Sequence, residues 1–176
     1  MKEKELFTNY LKNQRNFHNA NLHKANLDGL NLQRIDLTHA DLSGANLKST
    51  DLSGACLVQA NLTDADLSDA NLVGANLTET NLIGADLTGA NLAGVDLTNA
   101  DLRCVNLHNA NLTKANLKEV NLDGADLTDA NLCGAMIANT DLSAADMTGA
   151  SLENSHQCQL EQPFSATSAK WVSWAG

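Results

Sequence analysis

A large apolar residue recurs at every fifth position of this chain for 28 consecutive steps, from Phe17 to Leu152, with no insertion or deletion. All are Leu except Phe17, Ile137 and Met147. Two places earlier stands a small residue, Ala at 19 of the 27 positions from Ala20 to Ala150. Leu30, Ile35, Thr50, Thr80, Val95, Val105, Val120 and Thr140 are the departures. Immediately before the large residue comes Asn or Asp in 24 of 27 cases, and Cys56, Met136 and Ser151 are the exceptions. The two following positions vary among Ser, Thr, Gly and charged residues.

A period of five fits neither a 3.6-residue helix nor a two-residue strand. In an extended segment, residues two apart share a face, so the small residue and the Leu point the same way. The next residues must turn the chain so that the following pair also faces inward. Asn, Asp, Gly and Ser suit such turns. A regular all-β coil with an Ala and Leu interior is the simplest solution, and one coil cannot bury its own core, so coils stack.

Aromatics make up only 3% of the chain, there is one proline, Pro163, and the net charge is -10. That balance alone would suit a disordered chain. The regular placement of 43% hydrophobic residues argues for a folded one. No stretch approaches the roughly 20 apolar residues of a membrane span. The residues from Met1 to Phe7 mix Lys and Glu, with no apolar run behind them, so no secretory signal is read there and a cytoplasmic location is expected. The acidic balance disfavours direct binding to nucleic acid or to an anionic membrane and suits a basic protein surface. Cys56, Cys104, Cys133 and Cys158 are spaced by 48, 29 and 25 residues, which matches no zinc pattern. They are expected as free thiols.

Segments 40–44 (ADLSG), 45–49 (ANLKS) and 125–129 (ADLTD) resemble the repeats of the pentapeptide-repeat family, in its cyanobacterial-style form. The resemblance covers residues 15–154. It implies a right-handed quadrilateral parallel β-helix with four pentapeptides per coil and about seven coils. At the strand spacing, such a rod is roughly 34 Å long. Burying each Leu contributes about 2 kcal/mol, so a chain nearly without aromatics can still build a core.

A solenoid presents an edge at each end, and an uncovered edge invites association. Residues 1–14 are expected to form a short helical cap over the first coil, because Leu6, Phe7, Tyr10 and Leu11 fall at helical spacing. A membrane-surface helix is the alternative, opposed by Glu3 and Glu5 beside the lysines. Residues 155–176 carry Phe164, Trp171 and Trp174 and read as a cap, a flexible tail or a partner contact. Some members of the family dimerise through their C-terminal end, so a monomer and an end-to-end homodimer both stay open.

If four repeats make a coil, residues 20 apart stack, and the sequence becomes a surface map. The face centred on Leu27, Leu47, Leu67, Leu87, Leu107, Leu127 and Met147 carries Asp28, Asp66, Asp69, Asp86, Asp126, Asp129 and Asp146. Against Lys48 as its one fixed cation, its net charge is -6, half of the -12 on residues 20–154. Asp66 over Asp86, and Asp126 over Asp146, would place like charges side by side, which mildly destabilises a sheet. The face is either simply solvated or a recognition surface for a basic partner. The next face balances its charges and exposes Val73 and Ala93 beside Gly74 and Gly94, so it should be flat and weakly apolar.

Catalytic and metal sites have no evident place. His18, His23, His39, His108 and His156 occupy different outward positions. No Gly-rich phosphate loop opens a helix, and a rod without loop insertions offers no concave pocket. The expectation is a non-catalytic interaction or scaffolding module that needs no cofactor and binds an unidentified protein. The alternative implied by the resemblance is an acidic DNA mimic that binds DNA gyrase or topoisomerase. The tidy repeat and the lack of loop insertions speak against it.

Overall fold

The structure, a computed structural model, describes residues 3–155. After helix α1 (Glu3–Leu11) the chain becomes a coil of short sides and tight turns. The Asn/Asp positions pair in parallel with those 20 residues on, at every step but one from Asn16 with Asp36 to Asn131 with Ser151. Four pentapeptides therefore complete one turn. Pairing is limited to one residue per side, so the sides are bridges rather than continuous strands.

The repeat around Leu67 shows why five residues suffice. The N–H of Asp66 donates back one coil to Ala45 O at 3.0 Å. The N–H groups of Leu67 and Asp69 donate forward to Asp86 O at 2.7 Å and Thr88 O at 2.9 Å. The N–H of Ala70 closes the turn on Leu67 O at 3.0 Å. One N–H remains, that of Ser68, and it donates to the Asp66 side-chain Oδ1 at 2.9 Å. The same bond links Asn76 to Thr78, Asp96 to Thr98 and Asn111 to Thr113.

The turn is four residues long and closed by a bond such as that from Ala70 N–H to Leu67 O, with a left-handed residue at its third position. That position, two after the large residue, has positive φ throughout from Asn19 to Asn154 except at Ala144. Lys24, Arg34, Gln59, Glu79 and Cys104 all adopt it at φ 54–57°. A non-glycine residue there costs on the order of 1 kcal/mol, which the bonds on either side of the turn offset. The Asn and Asp of the repeat motif are thus not the left-handed residues. They act from the other side of the Leu as acceptors.

The interior is the expected one. Every Leu at the fifth position from Leu22 to Leu132 is at most 1% exposed. Thr50 and Thr80 replace Ala inside because each hydroxyl donates at 2.8 Å to a turn carbonyl, of Leu27 and Leu57 respectively.

Regularity fails once, near the end. The bridge from Asn121 to Asp141 is missing, and the N–H of Gly124 reaches Ala144 O instead of Ser143 O. The Thr140 hydroxyl enters the turn of the coil before, accepting from Val120 N at 3.3 Å and donating to Leu117 O. Among the described residues no coil lies beyond to hold residues 139, 144, 149 and 154. Asn139, Gly149 and Asn154 tolerate the left-handed region and keep it, whereas Ala144 does not.

At the other end α1 covers the first coil. Leu6 and Tyr10 are buried and Phe7 half-buried, but Leu11 points to solvent at 67% exposed, so three of the four residues at helical spacing face the rod. Glu3 Oε1 accepts the N–H of Asn26 at 2.8 Å, taking the place of a preceding coil's carbonyl. The Tyr10 hydroxyl donates to Gln33 O at 3.0 Å, and the Arg15 guanidinium stacks 3.9 Å from the Tyr10 ring centre.

Two predictions follow from the side-chain acceptor. Cys56 offers no oxygen, and the N–H of Val58 has no acceptor among the described residues. Cys56→Asn should therefore raise stability and Asn76→Ala lower it, each by about 1 kcal/mol, or about 2–4 °C in Tm. Thermal melts of the two variants check the signs. The second concerns pH. The hydroxyl and then the N–H of Ser43 hold Asp41 below the ordinary 3.8, and the N–H and then the hydroxyl of Ser143 do the same for Asp141. A depressed carboxyl stabilises the fold above its unfolded pKa, and that contribution is lost as pH falls through the folded value. Tm should hold through neutral and mildly acidic pH and fall below about pH 4. Asp41→Asn, which keeps the acceptor, should make that fall shallower.

Candidate interaction faces

Stacking at 20 residues brings the acidic face together. Asp66 bridges Asp86, and Asp126 bridges Asp146. These carboxylates do not all hang free. Asp66 Oδ1 accepts the N–H and hydroxyl of Ser68, at 2.9 and 2.6 Å, and Asp86 Oδ1 does the same with Thr88. Asp126 accepts the N–H of Thr128 at 2.9 Å. Asp146 accepts the hydroxyl and N–H of Thr148, which hold its carboxyl below the usual range. Asp66, Asp86 and Asp126 are half-buried, while Asp146 is exposed.

Asp28, Asp69 and Asp129 are exposed, as the sequence suggests. Asp69 and Asp129 nevertheless lean along the rod over the turn of the next coil. A methyl placed on Gly89 would lie 2.9 Å from Asp69 Oδ1, and one on Gly149 would lie 2.1 Å from Asp129 Oδ1. A period of five does not reveal this pairing of a side chain with a glycine 20 residues later. It recurs in a neighbouring column as Lys24 over Gly44 and Asp64 over Gly84.

Six of the seven aspartates fall into two equivalent groups. Asp126, Asp129 and Asp146 repeat Asp66, Asp69 and Asp86 after 60 residues, which is three turns. At the coil spacing the two groups are about 14 Å apart. Between them the face is neutral, with Asn106, His108 and Asn109. The His108 Nδ1 lies 2.7 Å from the Thr128 hydroxyl and its Nε2 lies 2.7 Å from Asn109 Nδ2, so both ring nitrogens are engaged. Asp28 stands apart beyond Lys48.

The neighbouring face is the one centred on Leu72 and Leu92. Val73 is 39% exposed and Ala93 half-buried. A methyl on Gly74 or Gly94 would meet nothing within 4 Å. Arg34 leans over Gly54 and Lys114 over Gly134, so cations flank the apolar strip at both ends. Phe164, Trp171 and Trp174 lie outside the described residues.

Among the described residues no group of three His, Cys, Asp or Glu could hold a metal ion. His18 pairs with Asp36 and His23 with Ser43. A depression between α1 and the first coil is lined by Glu3, Lys4 and residues 21–25, of which only Leu22 and Ala25 are buried. No buried polar group there could orient a substrate. No helix among the described residues is long and apolar enough to cross a membrane.

Comparison with known proteins agrees with this architecture. No curated protein sequence matches the chain. Among solved structures, a trypsin-treated variant of QnrB1, a plasmid-mediated fluoroquinolone resistance protein, is similar at 16% identity and a TM-score of 0.53. The match covers 80% of this chain and 87% of QnrB1, and it is a likeness of fold. HetL, a pentapeptide-repeat protein involved in heterocyst differentiation regulation in the cyanobacterium Nostoc sp. strain PCC 7120, is 29% identical. That match covers 88% of this chain and 94% of HetL at a TM-score of 0.23. The Nostoc pentapeptide-repeat protein alr5209 is 31% identical over 86% of this chain and 96% of its own, at a TM-score of 0.31. None of the comparisons indicates a catalytic family. The pentapeptide-repeats family matches in eight copies, over residues 16–54, 45–82, 55–92, 80–118, 90–129 and 115–154. The chain therefore belongs to the pentapeptide-repeat family, whose fold is a right-handed quadrilateral β-helix.

Proposed function

We propose that this chain is a non-catalytic interaction module whose acidic face docks a basic protein surface. The observation that carries the reading is the repetition of the Asp66, Asp69 and Asp86 group at Asp126, Asp129 and Asp146, in the same register three turns on. A rigid rod holds the two groups at constant separation, so a partner with two cationic patches about 14 Å apart meets both without ordering either. Long-range attraction from a face of net charge -6 speeds encounter and makes it sensitive to salt. The partner is a protein rather than nucleic acid, because an acidic face repels phosphates. A cytoplasmic setting is part of the same proposal.

A second reading, an acidic DNA mimic that binds DNA gyrase or topoisomerase, draws support from the rod architecture shared with QnrB1. One set of variants tests both. Asn keeps the Oδ1 acceptor at 66, 86, 126 and 146 and tolerates the left-handed positions 69 and 129, so changing all six aspartates to Asn should leave the fold intact. The variant should lose partners that the unsubstituted protein captures from lysate at low salt. Recovery of the same partners by both versions contradicts the acidic-face reading. Inhibition of gyrase supercoiling by the unsubstituted protein, relieved in the variant, would favour the second reading instead.

A further inference from the structure

The net charge of -12 on residues 20–154 falls wholly on three faces of the rod, and the face centred on Leu72 and Leu92 carries none of it. Its charged residues are Arg34, Asp51, Lys114 and Glu153, two of each sign. Two copies of this chain repel across any other face, whereas across this one they meet without net repulsion. The middle of the face is also its barest part. Val73 is 39% exposed, Ala93 is half-buried, and beside them nothing leans over Gly74 or Gly94. A second surface can therefore approach the backbone closely there.

Each coil gives this face three outward residues: the Asn or Asp before the Leu, the residue after the Leu, and the left-handed residue that follows. Stacking at 20 residues aligns them in three columns along the rod. A two-fold axis parallel to the rod sets each coil against the same coil of a second copy and exchanges the outer columns. Arg34 is exposed and lies across Gly54, where a methyl would be 3.5 Å from its Cγ. Facing Gly54 across such an axis is the partner's Asp51, so each guanidinium meets a carboxylate. Asp51 is fixed in place to receive it, because its Oδ1 accepts the N–H of Ser53 at 3.0 Å and the Asn71 amide at 3.1 Å. Among the described residues Arg34 has no ion pair within its own chain. Turning the second copy end for end keeps the columns in place instead. Centred on Ala93, that arrangement sets Arg34 over Gly54 against Lys114 over Gly134, cation against cation. Charge thus selects the parallel pairing.

We propose that a second copy of this chain docks on this face, side by side and parallel, about a two-fold axis that runs along the column of Val73, Ala93 and Cys133. Val73 and Ala93 pack on their own counterparts and form the apolar centre, and the two pairs of Arg34 with the partner's Asp51 flank it. Glu153 meets its counterpart only at the last described coil, where it is exposed and salt screens the repulsion. The acidic faces adjoin this one and turn to opposite sides of the dimer, so each stays free. One face of a short rod is a small interface, and the dimer is expected to dissociate on the order of 10 μM.

Sedimentation equilibrium on the full chain, in salt that screens its net charge of -10, should show a monomer–dimer equilibrium. Arg34→Asp and Val73→Asp should each weaken it about tenfold or more. The fold tolerates both changes elsewhere, since Asp69 adopts the same left-handed position as Arg34 and Asp123 stands directly after a Leu as Val73 does. Lys114→Asp should leave the dimer intact, because Lys114 faces the partner's Asn131. In a chain with Cys56, Cys104 and Cys158 changed to Ser, a short bismaleimide should join the two copies of Cys133. That cross-link decides the matter alone should a substituted chain lose its circular dichroism. A monomer at every concentration, or a dimer indifferent to Arg34→Asp and Val73→Asp, overturns the proposal. A dimer that Lys114→Asp strengthens and that Cys133 does not cross-link is the end-for-end arrangement, which overturns it as well.

Discussion

Each pentapeptide has five N–H groups, and the stacked coil gives backbone acceptors to four. The fifth belongs to the residue after the Leu, and it bonds to the Oδ1 of the Asn or Asp before the Leu, as Ser68 does with Asp66 and Thr78 with Asn76. An amide left without a partner costs roughly 1–3 kcal/mol where water cannot replace it. Repeated along the rod, that requirement explains why 24 of 27 positions are Asn or Asp and not some other turn-forming residue. The Leu core drives collapse, and the side-chain acceptor makes so short a repeat able to close on itself.

This constraint has a consequence for function. Asn and Asp supply the same acceptor oxygen, so the lattice does not discriminate between them, while their charges differ. The choice is left to the surface. On the face of Leu67 and Leu87 it is Asp66 and Asp86, and on the next face it is Asn71 and Asn91. The left-handed position gives a second freedom. Held by bonds on both sides, it accepts Lys24, Asp69, Glu79 or Gly94 alike. Two positions per repeat can thus carry a charge pattern on a rod whose interior hardly changes, and the paired groups at Asp66 and Asp126 are written at those positions.

Much of this was legible in the sequence. The spacing of Leu and Ala gave the buried face, and Leu6, Phe7 and Tyr10 lie against the first coil as their helical spacing suggests. The stacking of Asp66 on Asp86 followed once four repeats per coil were taken from the family resemblance, and the bridges show it. Other features were not legible, for physical reasons. Asn and Asp are general turn formers, so their presence could not tell a left-handed residue from an acceptor. Nor does a period of five show that Asp69 leans over Gly89, because that contact depends on the tilt of a side chain along the rod. The repeat at 142–146 (LSAAD) looks ordinary, and the slip at Ala144 falls where, among the described residues, no further coil holds the turn.

Amide exchange at Val58 and Thr78 tests the central claim most directly. The two residues occupy the same position on the same face, one coil apart, and both are half-buried. Thr78 N–H donates to Asn76 Oδ1 at 3.0 Å, and Val58 follows Cys56, which has no such oxygen. The account predicts strong protection at Thr78 and fast exchange at Val58, with Cys56→Asn restoring protection there. Equal protection at the two sites in the unsubstituted protein would show that the side-chain acceptor is not what completes the repeat.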